Sequence, residues 1–210
     1  MKKPLLYLAL TFPPVLFSIL LCIAFIDQPI ALDASHLLSN KIQNNSAVQD
    51  LPTLLTELVY LFITIGLGIY FFAKTSHKNF YFLNTFGLMA NTMAIAFFIK
   101  STLQFFFGRY APRYAHSDIL LFTRNAKLYG FHWLQNGGFP SGHMCVFGAG
   151  LVIIAYAYPK FKIPALILGT GLGLVLILLN YHFLSDVIAG AYLGISIGFS
   201  ALLLNKNIKL

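Results

Sequence analysis

The run FLSDVIAGAYLGISIGFSALLL, from Phe183 to Leu204, decides the fold. Its single charged residue, Asp186, stands near one end, and the rest is apolar, small or hydroxylated. A helix of about 20 such residues crosses the hydrocarbon of a bilayer. An extended strand would leave its backbone groups unpaired in lipid, and no period-two alternation is present, so the segment reads as a spanning helix. Gly190, Gly194 and Gly198 fall on one face of it, the pattern of a close helix–helix contact.

Five further runs have the same character: Leu5–Ile26, Leu54–Ala73, Phe80–Phe107, Gly142–Tyr158 and Ile163–Leu179. The expected fold is therefore all-α, a polytopic membrane protein whose residues 1–210 form one six-helix bundle. Composition agrees. The chain is 58% hydrophobic and 10% charged, where a soluble domain carries about 25% charged residues. Leu5–Ile26 is long for a signal sequence and lacks a small-residue cleavage site before Asp27, so a retained helix is expected, kinked at Pro13-Pro14. Gly169-Thr170-Gly171-Leu172-Gly173 lies inside an apolar run with no preceding strand, which favours packing over nucleotide binding. Cys22 and Cys145 each lie in an apolar run, where no disulfide or metal framework is implied.

The net charge of +8 could suggest nucleic acid. The cations, however, sit in short connections between apolar runs, as topology signals and contacts to anionic headgroups do. Lys2, Lys3, Lys74, Lys78, Lys160, Lys162, Lys206 and Lys209 all fall on one side of a six-helix arrangement. The Asp27–Pro52 connection on the other side carries Asp27, Asp33 and Asp50 against Lys41 and reads as a polar surface loop with room for a short amphipathic helix. Both termini are then expected in the cytoplasm. The outer Gly108–Phe139 loop breaks the trend with Arg109, Arg113, Arg124 and Lys127, which points to anion binding.

Three outer segments carry candidate chemistry. Pro140-Ser141-Gly142-His143 opens a helix; proline suits a first turn, and the N–H groups of Ser141, Gly142 and His143 would face a phosphate at the positive helix end. His182 and Asp186 are four apart and would share a helical face, where the carboxylate fixes the ring tautomer and leaves the other nitrogen as nucleophile. Gly108-Arg109-Tyr110-Ala111-Pro112-Arg113 follows the third apolar run at the same face. Glu57 reads as a loop partner, His36, His77 and His116 as surface residues, and His132 as a neighbour of the site.

With Gly130-Phe131-His132, Phe139-Pro140-Ser141-Gly142-His143 and Asn180-Tyr181-His182-Phe183-Leu184-Ser185-Asp186 in this order, the chain resembles the type 2 phosphatidic acid phosphatase superfamily of membrane phosphatases. The resemblance is sharpest between Lys100 and Gly190. It implies that His182 attacks phosphorus to form a phosphohistidine, that Asp186 orients it, and that His143 protonates the leaving oxygen. It implies that Ser141 and Gly142 hold phosphate oxygens and that no cofactor or metal is needed. Arg109 and Pro112 resemble the end of the family's first motif. That motif's lysine falls at Gln104, and Lys100, one turn deeper, is the expected substitute; Arg113 or Arg124 of the outer loop is the candidate for a further phosphate contact, against the alternative of a solvated loop or headgroup contacts. The third motif's usual arginine falls at Leu176.

The implied substrate is a lipid phosphate or pyrophosphate of the undecaprenyl pyrophosphate, phosphatidylglycerol phosphate, phosphatidic acid or lipid A type. The implied setting is a bacterial inner membrane with the site facing the periplasm. No nucleic acid and no obligate protein partner are expected. Two other readings stay open: a phosphotransferase using the same intermediate, and a non-catalytic lipid-binding protein on a decayed phosphatase fold.

Overall fold

The computed structural model describes residues 2–37, 45–75, 81–112, 131–135 and 137–205. Among the described residues seven α-helices carry the architecture: α1 (Lys2–Leu21), α2 (Asp27–Leu37), α3 (Ser46–Thr75), α4 (Tyr81–Phe107), α5 (Gly142–Ala157), α6 (Lys162–Leu178) and α7 (Leu184–Leu204). A π-helical turn, Cys22–Ile26, joins α1 to α2 without interruption, and a short 3-10 turn, Pro159–Phe161, leads into α6. The sole β-pairing among the described residues is an isolated bridge between Arg109 and Phe131. The protein is a helical polytopic membrane bundle. Among the described residues five helical stretches are long and apolar enough to cross a membrane: Leu8–Leu37, Ser46–Phe72, Tyr81–Phe107, Pro159–Leu178 and Leu184–Leu204. Gly142–Ala157 is apolar but shorter.

The core gathers around α5. Val59 of α3, Met89, Met93 and Ala96 of α4, Cys145, Val146, Ala149 and Ile153 of α5, and Leu202 of α7 form one buried cluster. Lipid supplies no hydrophobic drive for helix association, so close backbone approach and dense packing must do so. The α5–α7 seam meets that demand. A methyl group on Gly190 would collide with the Ser141 carbonyl oxygen, and one on Gly194 with that of Cys145. One on Gly198 would lie 2.8 Å from the Ala149 oxygen. Outward-facing side chains such as Phe17, Phe25, Phe98, Leu166, Ile167 and Leu168 are exposed large hydrophobics, as a lipid-facing surface requires.

One expectation changes in part. The Asp27–Pro52 stretch, read as a surface loop with room for a short helix, opens directly in the helix α2, and Ser46 already begins α3. Continuing the helix keeps its backbone hydrogen-bonded, and Asp27, whose charge suggested a loop, is 2% exposed and ion-paired. Pro13 and Pro14 lie inside α1; the departure from α-helical bonding comes later, at Cys22–Ile26. Pro29 lacks an N–H for the Phe25 carbonyl, and the wide turn sits against that missing bond.

Candidate active site

The end of α6 sets up the first half of the site. Asn180 takes a left-handed conformation (φ 53°), one that asparagine tolerates better than most side chains. The N–H groups of Tyr181 and His182 turn back onto the Leu176 carbonyl at 2.9 and 3.2 Å. His182 therefore precedes α7 rather than sharing a helical face with Asp186. Asp186 lies in the first turn of α7, where its Oδ2 accepts the Phe183 N–H at 3.1 Å. His182 Nδ1 stands 3.6 Å from the same Oδ2, just beyond hydrogen-bond reach. That orientation leaves Nε2 as the ring nitrogen turned from the carboxylate.

The second half is the start of α5. Ser141 is its N-cap, with Oγ accepting from the Met144 N–H at 3.5 Å. Pro140 thus precedes the cap instead of occupying the first turn. Ser141 is fully buried, and its N–H, expected to face phosphate, donates to the Asp186 carbonyl at 2.9 Å. This bond ties the two helix starts together. The first-turn N–H groups of Gly142 and His143 have no acceptor within the helix, as at every helix start.

His143 and His182 line one cavity of about 90 Å³, together with Thr56, Val59, Tyr60, Phe97, Lys100, Gln104, Gly142, Val146 and Phe147. Their ring centroids are 6.0 Å apart. His143 Nε2 lies 3.0 Å from the Pro52 carbonyl and 3.2 Å from the Thr56 hydroxyl of α3. A carbonyl can only accept, so Nε2 carries the hydrogen. Lys100 reaches the cavity as expected: Nζ donates to Gln104 Oε1 at 3.1 Å and lies 3.2 Å from where a Gly142 Cβ would stand. Gln104 Nε2 donates to the Pro140 carbonyl at 2.9 Å. The glutamine at the motif's lysine position therefore holds Lys100 against the α5 start.

Arg109 departs from expectation. It was placed at the phosphate, but it is 1% exposed and does not line the cavity. Its Nη1 donates to Asp186 Oδ1 at 2.6 Å and to the Ser185 hydroxyl at 2.6 Å, and its Nη2 to Asp27 Oδ2 at 2.8 Å. Two flanking carboxylates hold the guanidinium more strongly than an exchangeable ligand would, and the Phe131 and Phe183 rings, 4.9 and 4.1 Å away, enclose it. Gly108 makes this possible. Its φ of 58° suits glycine, and any side chain would strike the His132 carbonyl.

Leu176 fills the place of the third motif's arginine with apolar packing against Met144 and Val187, 1% exposed. The His132 ring lies tilted against Tyr110, centroids 4.3 Å apart, and does not line the cavity. Arg113, Arg124 and His116 lie outside the described residues, as do His77 and Tyr129-Gly130. His36 and Glu57 are exposed. Among the described residues no group of three or more His, Cys, Asp or Glu side chains forms a metal-binding set.

Pattern reading missed Asp27, Ser185, Pro52 and Thr56. Asp27 carried a usable signal, an ionisable residue at the end of a spanning run. Pro52 and Thr56 carried none, because their role is set by which helix lies beside α5.

Fold and site together define a helical membrane protein that presents two histidines and a lysine to one half-open cavity beside a carboxylate–guanidinium cluster. A family model for the PAP2 superfamily matches residues 85–209. The chain belongs to that superfamily, whose members are generally phosphatases acting on phosphate esters. The match spans α4 to α7, the helices that carry Lys100, His143, His182 and Asp186. Neither a curated protein nor a solved structure matches the chain significantly.

Proposed function

We propose that the protein is a lipid phosphatase that hydrolyses a phosphate monoester or pyrophosphate through a phosphohistidine on His182. The observation that carries the reading is the shared cavity, with the two rings 6.0 Å apart. A phosphoryl group entering that cavity would stand against both rings. His182 Nε2 donates its electron pair to phosphorus while the bond to the leaving oxygen breaks. His143, entering the cycle as an imidazolium, keeps Nε2–H on the Pro52 carbonyl and gives that oxygen the proton of Nδ1. Water then attacks the phosphohistidine, His143 takes back a proton, and phosphate leaves with His182 restored.

Negative charge on the phosphoryl oxygens needs preorganised positive partners. Lys100 Nζ and the N–H groups at the α5 start supply them, so phosphate release is expected to persist in EDTA. Lys100→Ala should lower kcat/KM by about a hundredfold. If Lys100 stands in for a lysine at 104, adding Gln104→Lys to that variant should restore part of the loss. No recovery, with the double variant folded, would count against the substitution.

A lipid substrate is supported by the cavity's two-sided lining. Lys100, Gln104, Gly142 and the histidines form one end; Val59, Tyr60, Phe97, Val146 and Phe147 form an apolar end between α3, α4 and α5. α5 is about 24 Å long at 1.5 Å per residue, shorter than the roughly 30 Å hydrocarbon core. With its other end at the interface, its start is recessed toward the acyl chains. Tyr60 is partly exposed and packs edge-on to Phe97 at 5.1 Å. Tyr60→Ala should raise KM for a long-chain lipid phosphate by about fivefold, the worth of one aromatic contact. It should leave KM for p-nitrophenyl phosphate nearly unchanged, and an equal rise for both would remove the chain from this wall.

The lysine distribution supports termini in the cytoplasm of a bacterial inner membrane and a site facing the periplasm. The deciding assay uses purified protein and a panel of phospholipid and isoprenoid phosphates, with and without EDTA. Failure on every lipid phosphate would favour the non-catalytic reading.

A further inference from the structure

The proposed reaction gives Asp27 no part, yet this carboxylate is among the most deeply buried polar groups of the protein. It enters from α2, directly after the π-helical turn, an irregularity common at functional sites. It accepts the Ser185 N–H at 2.9 Å on Oδ1, and the Ser185 hydroxyl at 2.5 Å and Arg109 Nη2 at 2.8 Å on Oδ2. With Nη2 drawn to Asp27, it is Nη1 that donates to Asp186, on Oδ1 at 2.6 Å.

A guanidinium facing a lone carboxylate tends to grip both of its oxygens. Asp27 prevents that grip. Asp186 Oδ2 consequently remains directed at His182 Nδ1 and the Phe183 N–H. Charge points the same way. Asp27 and Asp186 together carry two negative charges against one positive on Arg109, a net of −1 beside an imidazole that becomes cationic when phosphorylated.

We infer that Asp27 is a positioning residue for the phosphoryl-transfer step. It draws Arg109 aside so that Asp186 keeps one oxygen, and the cluster keeps one excess negative charge, for His182. The inference rests on His182 being the nucleophile. It also gives Arg109 a role through Asp186 rather than through substrate.

The test is a double-mutant cycle of Asp27→Asn and Arg109→Gln, assayed for kcat and KM with a long-chain lipid phosphate in detergent micelles, with His182→Ala alongside. Asp27→Asn alone should lower kcat by about 10- to 100-fold with KM within about threefold, since the unrestrained guanidinium closes on Asp186. Adding Arg109→Gln should recover at least about fivefold, because the double variant regains the net charge of −1 and a carboxylate with both oxygens available. A merely structural Asp27 would give losses that multiply, and that result overturns the proposal. A loss carried by KM also overturns it, because Arg109 would then be a phosphate contact. Elution profile and melting temperature report folding. If Asp27→Asn alone does not fold, the comparison of the double variant with Arg109→Gln still decides: Asp27→Asn should cause no further loss there, and a further tenfold loss overturns the proposal. Full turnover by His182→Ala would instead remove the phosphohistidine reading itself.

Discussion

His182→Ala is expected to lower phosphate release by on the order of 10⁵-fold, the scale seen when a covalent nucleophile is removed from a working constellation. The fold should survive the change. The His182 backbone N–H, which fixes the turn after α6, is kept by alanine. The ring's Nδ1 lies 3.6 Å from Asp186, so no formed hydrogen bond is lost there. A stability cost of about 1 kcal/mol is reasonable for a small loss of packing. Two measurements separate the nucleophile from a mere binding group. Steady-state release with lipid phosphate should fall to background. Brief incubation with labelled substrate, followed by alkaline denaturation, should leave label on the parent chain and none on the variant. Release within about tenfold of the parent would remove His182 from the role of nucleophile.

The bundle was legible because lipid imposes a simple rule: about 20 apolar residues in a run make a spanning helix. The short run after Ser141 was legible for a second reason, its Pro-Ser-Gly start. The same logic misjudged Asp27. A carboxylate after an apolar run looks like the edge of the membrane unless its partners are known, and those partners are Arg109 and Ser185, 82 and 158 residues away. Pairwise distance in the fold, which spacing along the chain does not encode, decides whether such a charge is buried or solvated.

The site divides along the same line. That His143, His182 and Lys100 would meet, with Asp186 beside His182, was legible because their placement is local: a helix start, a turn and a lysine one helical turn from its expected place. Ser141 was read correctly as the opening of α5 but not in its bonding, since the Asp186 carbonyl that takes its N–H belongs to another helix. Arg109 was read as a phosphate ligand because its positive charge on an outer loop suggests an anion. The anions it meets are the protein's own carboxylates. The Leu176 position, which looked like a lost clamp, is a packed core site, so an arginine restored there would bury its charge against Met144 and Val187.

His143→Gln should separate the two chemical steps. The glutamine amide can still donate toward the Pro52 carbonyl that now receives Nε2–H at 3.0 Å, so the tether between α3 and α5 has a substitute. What is lost is a group able to give and take a proton, worth about 10²- to 10⁴-fold. With a lipid phosphate the leaving alkoxide needs that proton, so phosphorylation of His182 slows and no burst precedes the steady state. With p-nitrophenyl phosphate the leaving group departs unprotonated, and only the later attack of water needs His143 as base. The variant should therefore release close to one equivalent of nitrophenolate per enzyme in a burst and then turn over slowly, with phosphohistidine accumulating. Stopped-flow absorbance measures the burst, and acid-labile label on the chain measures the intermediate. If phosphorylation instead slows equally for both leaving groups, His143 acts by holding α3 against α5, and the proton must come from elsewhere in the cavity. Lys100 would then be the remaining donor among the cavity residues with a proton to give and a positive charge to stabilise the phosphoryl oxygens.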